Sequence, residues 1–272
     1  MLKVSYQHRS ITPKKHRGQN FLLDPNISHK IVEAAGLQPD DAVLEIGPGF
    51  GALTAIIAAT MPHFTAVEVE PELAKFIREK FPQVTVIAGD FLDVNLGEIA
   101  AGRKLKVLGN IPYSITTPII FKLLDHQTHV HSIVLMIQDE VARRLSAVPQ
   151  TKEYGILAVQ LQAFTDVEYL FKVSKHVFKP KPDVDSAVVR LTMTPEKHRI
   201  TNPLQFKKVV RQSFAMRRKT LENNLRKTFR LDGLDIDFKR RAETFSVAEF
   251  VALAQLLEDR LISDDKTIVL KN

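Results

Sequence analysis

Apolar residues along the chain gather into short runs: "AVLEIG" (42–47), "TAVEV" (65–69), "VTVIAGD" (84–90), "KVLGN" (106–110) and "SIVLMIQ" (132–138). Segments of helical period such as "PELAKFIREKF" and "TPIIFKLL" separate them. Nearly continuous apolar strands that alternate with helices predict a parallel sheet covered on both faces, hence an α/β fold. "DSAVVRLTM" (185–193) reads as a late strand, antiparallel at the sheet's end. Ahead of the sheet, Asp24 can cap a helix with Pro25 in its first position and Ile27, Ile31 and Val32 on one face.

The pattern changes after the late strand. Phe206, Val210 and Phe214, then Leu221, Leu225 and Phe229, recur at four-residue spacing among basic residues, which predicts two basic amphipathic helices, the first started by Thr201 or Asn202 ahead of Pro203. Ser246 with Glu249 three residues on forms a capping box for a last helix, with Phe250, Leu253, Leu257 and Leu261 facing inward. The polar stretch "TPEKHRITNP" marks a boundary near 195–202. The expected organisation is a basic arm (1–23), an α/β domain (24–197) and a small helical domain (198–272).

Composition narrows the class. The 272 residues are 44% hydrophobic and 25% charged, as in globular chains, and no apolar run approaches the roughly 18 residues of a bilayer span. The N-terminus lacks the apolar core of a signal peptide, so a cytoplasmic address is expected. With no cysteine, disulfides and thiolate-bound zinc are excluded. The net charge of +7 is segregated: residues 1–23 carry five Lys/Arg and no acid, and residues 201–230 carry nine against the single Glu222. Two cationic ends on a chain otherwise acidic point to a phosphate-bearing partner, with nucleic acid first.

The candidate chemistry begins in "EIGPGFGALT" (45–54), which puts Gly47, Gly49 and Gly51 at the exit of the first strand. Glycines there let a ligand approach the backbone closely. Their spacing is GxGxG rather than the dinucleotide GxGxxG, which suits a nucleoside-sized cofactor without a pyrophosphate. Glu68 and Glu70 end the second strand, where such folds place a carboxylate for ribose hydroxyls, and spacing does not choose between them. Asp90 ends the third strand, able to accept from an adenine amino group, with Phe91 supplying a backbone N–H and an apolar wall.

The fourth strand runs into "NIPY", Asn110 to Tyr113. This matches [N/D]-[P/I/L]-P-[Y/F] and resembles the S-adenosylmethionine-dependent methyltransferases that modify exocyclic amino groups. An aromatic amine is a poor nucleophile because its lone pair is delocalised. The Asn110 oxygen and the Ile111 carbonyl can accept its hydrogens and favour a nucleophilic nitrogen, Pro112 fixes the loop, and Tyr113 can stack on the base.

Further segments extend the resemblance in order along nearly the whole chain: "GQNFLLD" (18–24), "GNIPYSITTPIIFKLL", "FKPKPDVDSAVVRL" (178–191), "FAMRRKTLENNL" (214–225) and "RAETFSVAEF" (241–250). Together they are similar to the ribosomal RNA adenine N6,N6-dimethyltransferases, in their bacterial small-subunit branch. That resemblance implies a class I (Rossmann-like) methyltransferase domain with a small C-terminal helical domain. It implies dimethylation of two adjacent adenines in a hairpin loop near the 3′ end of small-subunit RNA during ribosome assembly, on RNA or a partly assembled subunit; nothing in the sequence calls for more than a monomer.

By position the resemblance makes Asn20, Leu22, Gly47, Glu68, Asp90 and Asn110 contacts of S-adenosylmethionine and its product S-adenosylhomocysteine, preferring Glu68 to Glu70; Gly49 of the loop and Phe91 of the wall complete the expected set. It sets Phe178 opposite Tyr113 across the target base. Arg217, Arg218 and Lys219 would bind RNA phosphates. His126, His129 and His131 have no carboxylate or cysteine at ligand spacing and read as a polar loop; no metal is expected. The alternatives are a large-subunit RNA adenine methyltransferase and an RNA-binding assembly factor without essential catalysis. DNA- and protein-directed relatives usually carry two prolines where this chain has Ile111-Pro112.

Overall fold

The computed structural model describes residues 18–262 and, as backbone, the antiparallel strands β1 (Val4–Tyr6) and β2 (Arg9–Ile11). By internal contacts the chain divides into two compact units, 1–142 with 167–193, and 143–166 with 194–272.

The first unit is built on a seven-stranded sheet. After β3 (Phe21–Leu22) and α1 (Pro25–Ala34), the chain alternates β4 (Ala42–Ile46), α2 (Thr54–Thr60), β5 (Phe64–Glu68), α3 (Pro71–Lys80), β6 (Val84–Ala88), α4 (Leu96–Ala100), β7 (Leu105–Asn110), α5 (Thr116–Asp125) and β8 (Val130–Gln138). Further elements are α6 (Asp139–Leu145), α7 (Ile156–Gln162), β9 (Thr165–Val173), β10 (Phe178–Lys179) and β11 (Ser186–Met193). The sheet order is β6-β5-β4-β7-β8-β11-β9. From β6 to β8 the neighbours are parallel, and β11 runs antiparallel to β8.

Helix starts follow their capping chemistry: Asp24 accepts from the amides of Asn26 and Ile27, and Pro25 needs no partner for its missing N–H. β4 is buried along its whole length, which is why it reads as an apolar run rather than an alternating one. Chain order runs β4-β5-β6 to one side and β7-β8 to the other, so the topology reverses at β4 and β7. Register aligns Ile46 with Val67 and Gly109, and Glu68 with Ala88, so these strands end together and leave a crevice there.

In this unit two sequence expectations change. β11 is not the end of the sheet, because β9 lies outside it. β9 alternates exposed charges with apolar residues, and Glu168 forms a two-pronged ion pair with Arg190 of β11 at 2.9 and 2.7 Å. Charges of this kind protect an edge and hide its strand character. The 1–23 stretch is also not solely an arm, since Phe21 and Leu22 are buried and β3 pairs with β10.

In the second unit, α8 (Pro203–Ser213) has the expected buried face at Phe206 and Val210, with Phe214 partly buried. The second basic helix is only α9 (Leu221–Leu225), because Phe229 pairs with Leu261 in an isolated bridge and the backbone between leaves helical geometry. The same bridge takes Leu261 beyond α10 (Val247–Leu256), where it is exposed rather than inward. The Ser246–Glu249 capping box is formed on both sides. Residues 143–166 group with this unit, where Tyr154 packs on Phe214 and Phe164 on Phe206, although the sequence reading kept them with the sheet.

Candidate active site

The crevice at the strand ends has a volume of about 300 Å³ and lies wholly in the first unit. This is the size of a small-molecule site. Residues from β3, the β4 loop, β5, the β6 turn and the β7 exit line it.

Gly47 and Gly49 take φ of +67° and +58°, the left-handed region that glycine enters without strain. The turn brings the Gly49 amide to Oε2 of Glu68 at 3.0 Å, while Oε1 accepts the Glu70 amide at 3.0 Å. Each carboxylate oxygen retains a further lone pair for a ligand hydroxyl. Burial raises the Glu68 carboxyl above its ordinary value, against the backbone bonds from Glu70, Gly49 and Val69 that lower it. Glu70 is the capping residue ahead of α3 and does not line the crevice.

Glu45, which the sequence reading passed over, also lines this space. Burial pushes its carboxyl up to about 8, with the Thr54 hydroxyl donating to Oε2 at 2.7 Å and the charge of Glu68 adding to the rise. A glutamate inside "AVLEIG" was the available signal, since a charge in a fully buried strand requires a reason.

Asp90 caps a single 3-10 turn (Phe91–Asp93), its Oδ1 accepting the Leu92 amide at 2.8 Å. Phe91 is buried and forms part of the wall.

At the β7 exit, the Asn110 Nδ2 donates to the main-chain carbonyl of Asn20 at 3.1 Å. A carbonyl only accepts, so the nitrogen must face Asn20 and the side-chain oxygen is the acceptor that remains. Asn20 itself is tied down, its Nδ2 donating to the Gly18 carbonyl at 3.0 Å. Ile111, Pro112 and Tyr113 follow along the crevice wall. The hydroxyls of Tyr113 and Ser186 lie 2.7 Å apart, because Ser186 opens β11 opposite Gln138 at the end of β8. Burial raises the Tyr113 hydroxyl above its ordinary value, so it stays protonated and cannot serve as a base at neutral pH.

Phe178 does not join this group. It is 5% exposed within the core, on the strand that pairs with Leu22, and is not part of the crevice lining. Its strand partner Leu22 does line the crevice, so the ring that precedes "KPKP" is held in the core one strand behind that wall.

In the second unit, Arg217, Arg218 and Lys219 are all exposed in the turn between α8 and α9. The Arg217 guanidinium nevertheless donates to the main-chain carbonyls of Thr151, Lys152 and Tyr154. Among the described residues no three His or acidic side chains form a metal-binding group, and His126 Nδ1 instead contacts the Lys122 carbonyl at 2.9 Å.

The family model "Ribosomal RNA adenine dimethylase" matches residues 11–259. The protein "Ribosomal RNA small subunit methyltransferase A" of Chlorobaculum parvum is 52% identical over 98% of both chains. Its namesake from Chlorobium phaeobacteroides strain BS1 is 56% identical, over 93% of this chain and 97% of its own. Among solved structures, a dimethyladenosine transferase from Plasmodium falciparum superposes with a TM-score of 0.73 at 25% identity, over 87% of this chain and 96% of that one. The 23S rRNA methyltransferase ErmE superposes at 0.67 with 28% identity, over 88% and 99%.

Proposed function

The chain belongs to the ribosomal RNA adenine dimethylase family, and on that premise we propose how its crevice methylates N6 of two adjacent adenines near the 3′ end of small-subunit RNA. The enzyme is an S-adenosylmethionine-dependent ribosomal RNA (adenine-N6,N6-)-dimethyltransferase. Its setting is small-subunit assembly in the cytoplasm, where it acts as a monomer.

The residues present fit a nucleoside-bearing methyl donor. Gly47 and Gly49 leave the loop without side chains, Glu68 has acceptor capacity on both oxygens, and Asp90 with Phe91 offers an acceptor, a backbone donor and a ring wall. Asn20 and Leu22 would close the crevice from the β3 side. S-adenosylmethionine, when bound, supplies an electrophilic methyl group.

The observation that carries the reading is the fixed Asn110 side chain. With its nitrogen held by the Asn20 carbonyl, Oδ1 is oriented before the substrate arrives and can accept from the adenine amino group. The Ile111 carbonyl would take the second hydrogen, Pro112 sets the angle between them, and the Tyr113 ring stacks on the base. Two accepted hydrogen bonds draw the amino lone pair out of conjugation. No strong base is required, because the amine becomes acidic once methylated, and a neutral Tyr113 is consistent with that.

In the second unit Arg218 and Lys219 are the candidates for RNA phosphates, while Arg217 supports the turn beside them. The likeness to ErmE makes large-subunit RNA the second reading. Labelled methyl donor offered with isolated small and large subunits separates the two: label should enter the small subunit, and entry into the large one alone favours the rival. Small-subunit binding without methyl transfer would favour an assembly factor.

A further inference from the structure

Lys122 stands in the last turn of α5, the helix that opens just after Tyr113. Its Nζ donates to the main-chain carbonyls of Leu92 and Val94, each at 2.6 Å, and lies 5.5 Å from the centroid of the Phe91 ring. One of these carbonyls lies inside the turn that Asp90 caps and the other closes it. The turn is therefore gripped from two sides: Asp90 Oδ1 holds the Leu92 amide, and the Lys122 ammonium holds the carbonyls.

A lone 3-10 turn needs such support. It has only two backbone bonds of its own, Asp93 to Asp90 at 3.1 Å and Val94 to Phe91 at 3.2 Å, at the far end of the ordinary range, and 3-10 geometry is weaker than α-helical geometry. An ammonium shared by two carbonyls in a half-buried place is a charge-assisted tie. Burial lowers the Lys122 ammonium from its ordinary value, while the carboxylates of Asp93 and Asp90 oppose that loss. Both acids flank the turn being held, so charge and geometry draw lysine and turn together.

We propose that Lys122 is a positioning residue for adenine recognition in the cofactor crevice: by fixing the Asp90–Val94 turn it holds the Asp90 carboxylate and the Phe91 amide at the spacing that selects an amino-bearing purine. This rests on the assignment of Asp90 and Phe91 to the adenine end. The consequence is a base preference. An adenine presents an amino donor beside a ring acceptor, and hypoxanthine reverses both, so a rigid acceptor–donor pair distinguishes them and a loose one does not.

Isothermal calorimetry with S-adenosylhomocysteine and S-inosylhomocysteine tests this on the intact chain. The wild type should prefer the adenine form at least tenfold. Lys122→Met should lose about tenfold affinity for S-adenosylhomocysteine and less than threefold for the inosine analogue, so the preference collapses. Lys122→Arg, with several donors, should keep most of it, and Lys122→Gln, with fewer donors and no charge, should fall between. Urea unfolding of each variant checks that the fold persists. A Met variant that retains the wild-type preference overturns the proposal, whether or not its affinity falls. So does a parallel loss for both ligands. Wild-type binding without preference would remove the Asp90 assignment as well, whereas failure confined to the Lys122 variants leaves that assignment standing.

Discussion

The Gly49 amide donates to Oε2 of Glu68 across 3.0 Å, so the loop after the first sheet strand in the crevice and the end of its neighbour form one hydrogen-bonded unit. The Glu70 amide on Oε1 completes the clamp. A carboxylate meets both donors, and a carboxamide cannot, because its NH₂ would face one of them.

Glu68→Gln should therefore weaken S-adenosylhomocysteine binding by about 10- to 100-fold, or roughly 1.4 to 2.7 kcal/mol, without abolishing the fold. Calorimetry on the folded variant checks it. Unchanged affinity would mean that the ribose hydroxyls are met elsewhere.

Glu45 gives a stability prediction. Its folded-state carboxyl is raised to about 8 from the ordinary 4.5, so between these values the folded chain holds a proton that the unfolded chain has released. Stability must then fall as pH rises through that window, with a slope of at most about 1.4 kcal/mol per pH unit. Glu45→Gln keeps an acceptor for the Thr54 hydroxyl and removes the titration. Urea unfolding from pH 5 to 8 should show the wild type losing on the order of 3 kcal/mol relative to the variant. Parallel profiles would contradict the assignment.

Phe178 and Tyr113 should separate cleanly. Phe178→Ala opens a cavity in the core and should cost about 3 to 5 kcal/mol in urea unfolding. Tyr113→Ala, in a half-buried wall position, should cost less than about 2 kcal/mol in stability yet lower kcat more than tenfold, since base stacking is worth about 1 to 3 kcal/mol. A Phe178→Ala variant that keeps its stability and loses kcat would place the ring at the base instead of in the packing.

Arg217 and Arg218 are neighbours with different work. Arg217→Ala removes three carbonyl contacts and should lower the melting temperature of the chain. Arg218→Ala should leave the melting temperature in place, weaken RNA binding and reduce the slope of log affinity against log salt by about 1. Filter binding across a salt series measures the second effect.

Much of this was legible in the sequence because buried parallel strands are written as apolar runs, and their ends place Gly47, Glu68, Asp90 and Asn110 at one crevice. What stayed hidden follows from physics that a local pattern does not carry. β9 escaped because an edge strand carries solvent-facing charges, Glu168 among them, that pair only in three dimensions. The second basic helix looked longer than α9 because the Phe229–Leu261 bridge is a long-range contact. The burial of Phe178 depends on pairing with Leu22, more than a hundred residues away in the chain. Lys122 was invisible for the same reason: its partners are main-chain carbonyls, which no motif records.

The most direct measurement is mass spectrometry of small-subunit RNA. Purified protein and S-adenosylmethionine are incubated with subunits that lack methylation at the 3′ hairpin. N6,N6-dimethyladenosine should appear at both adjacent adenines with wild-type protein, and not with Asn110→Ala, which should still bind the subunit. Wild-type protein that binds the donor and the subunit but yields no dimethyladenosine would contradict the account.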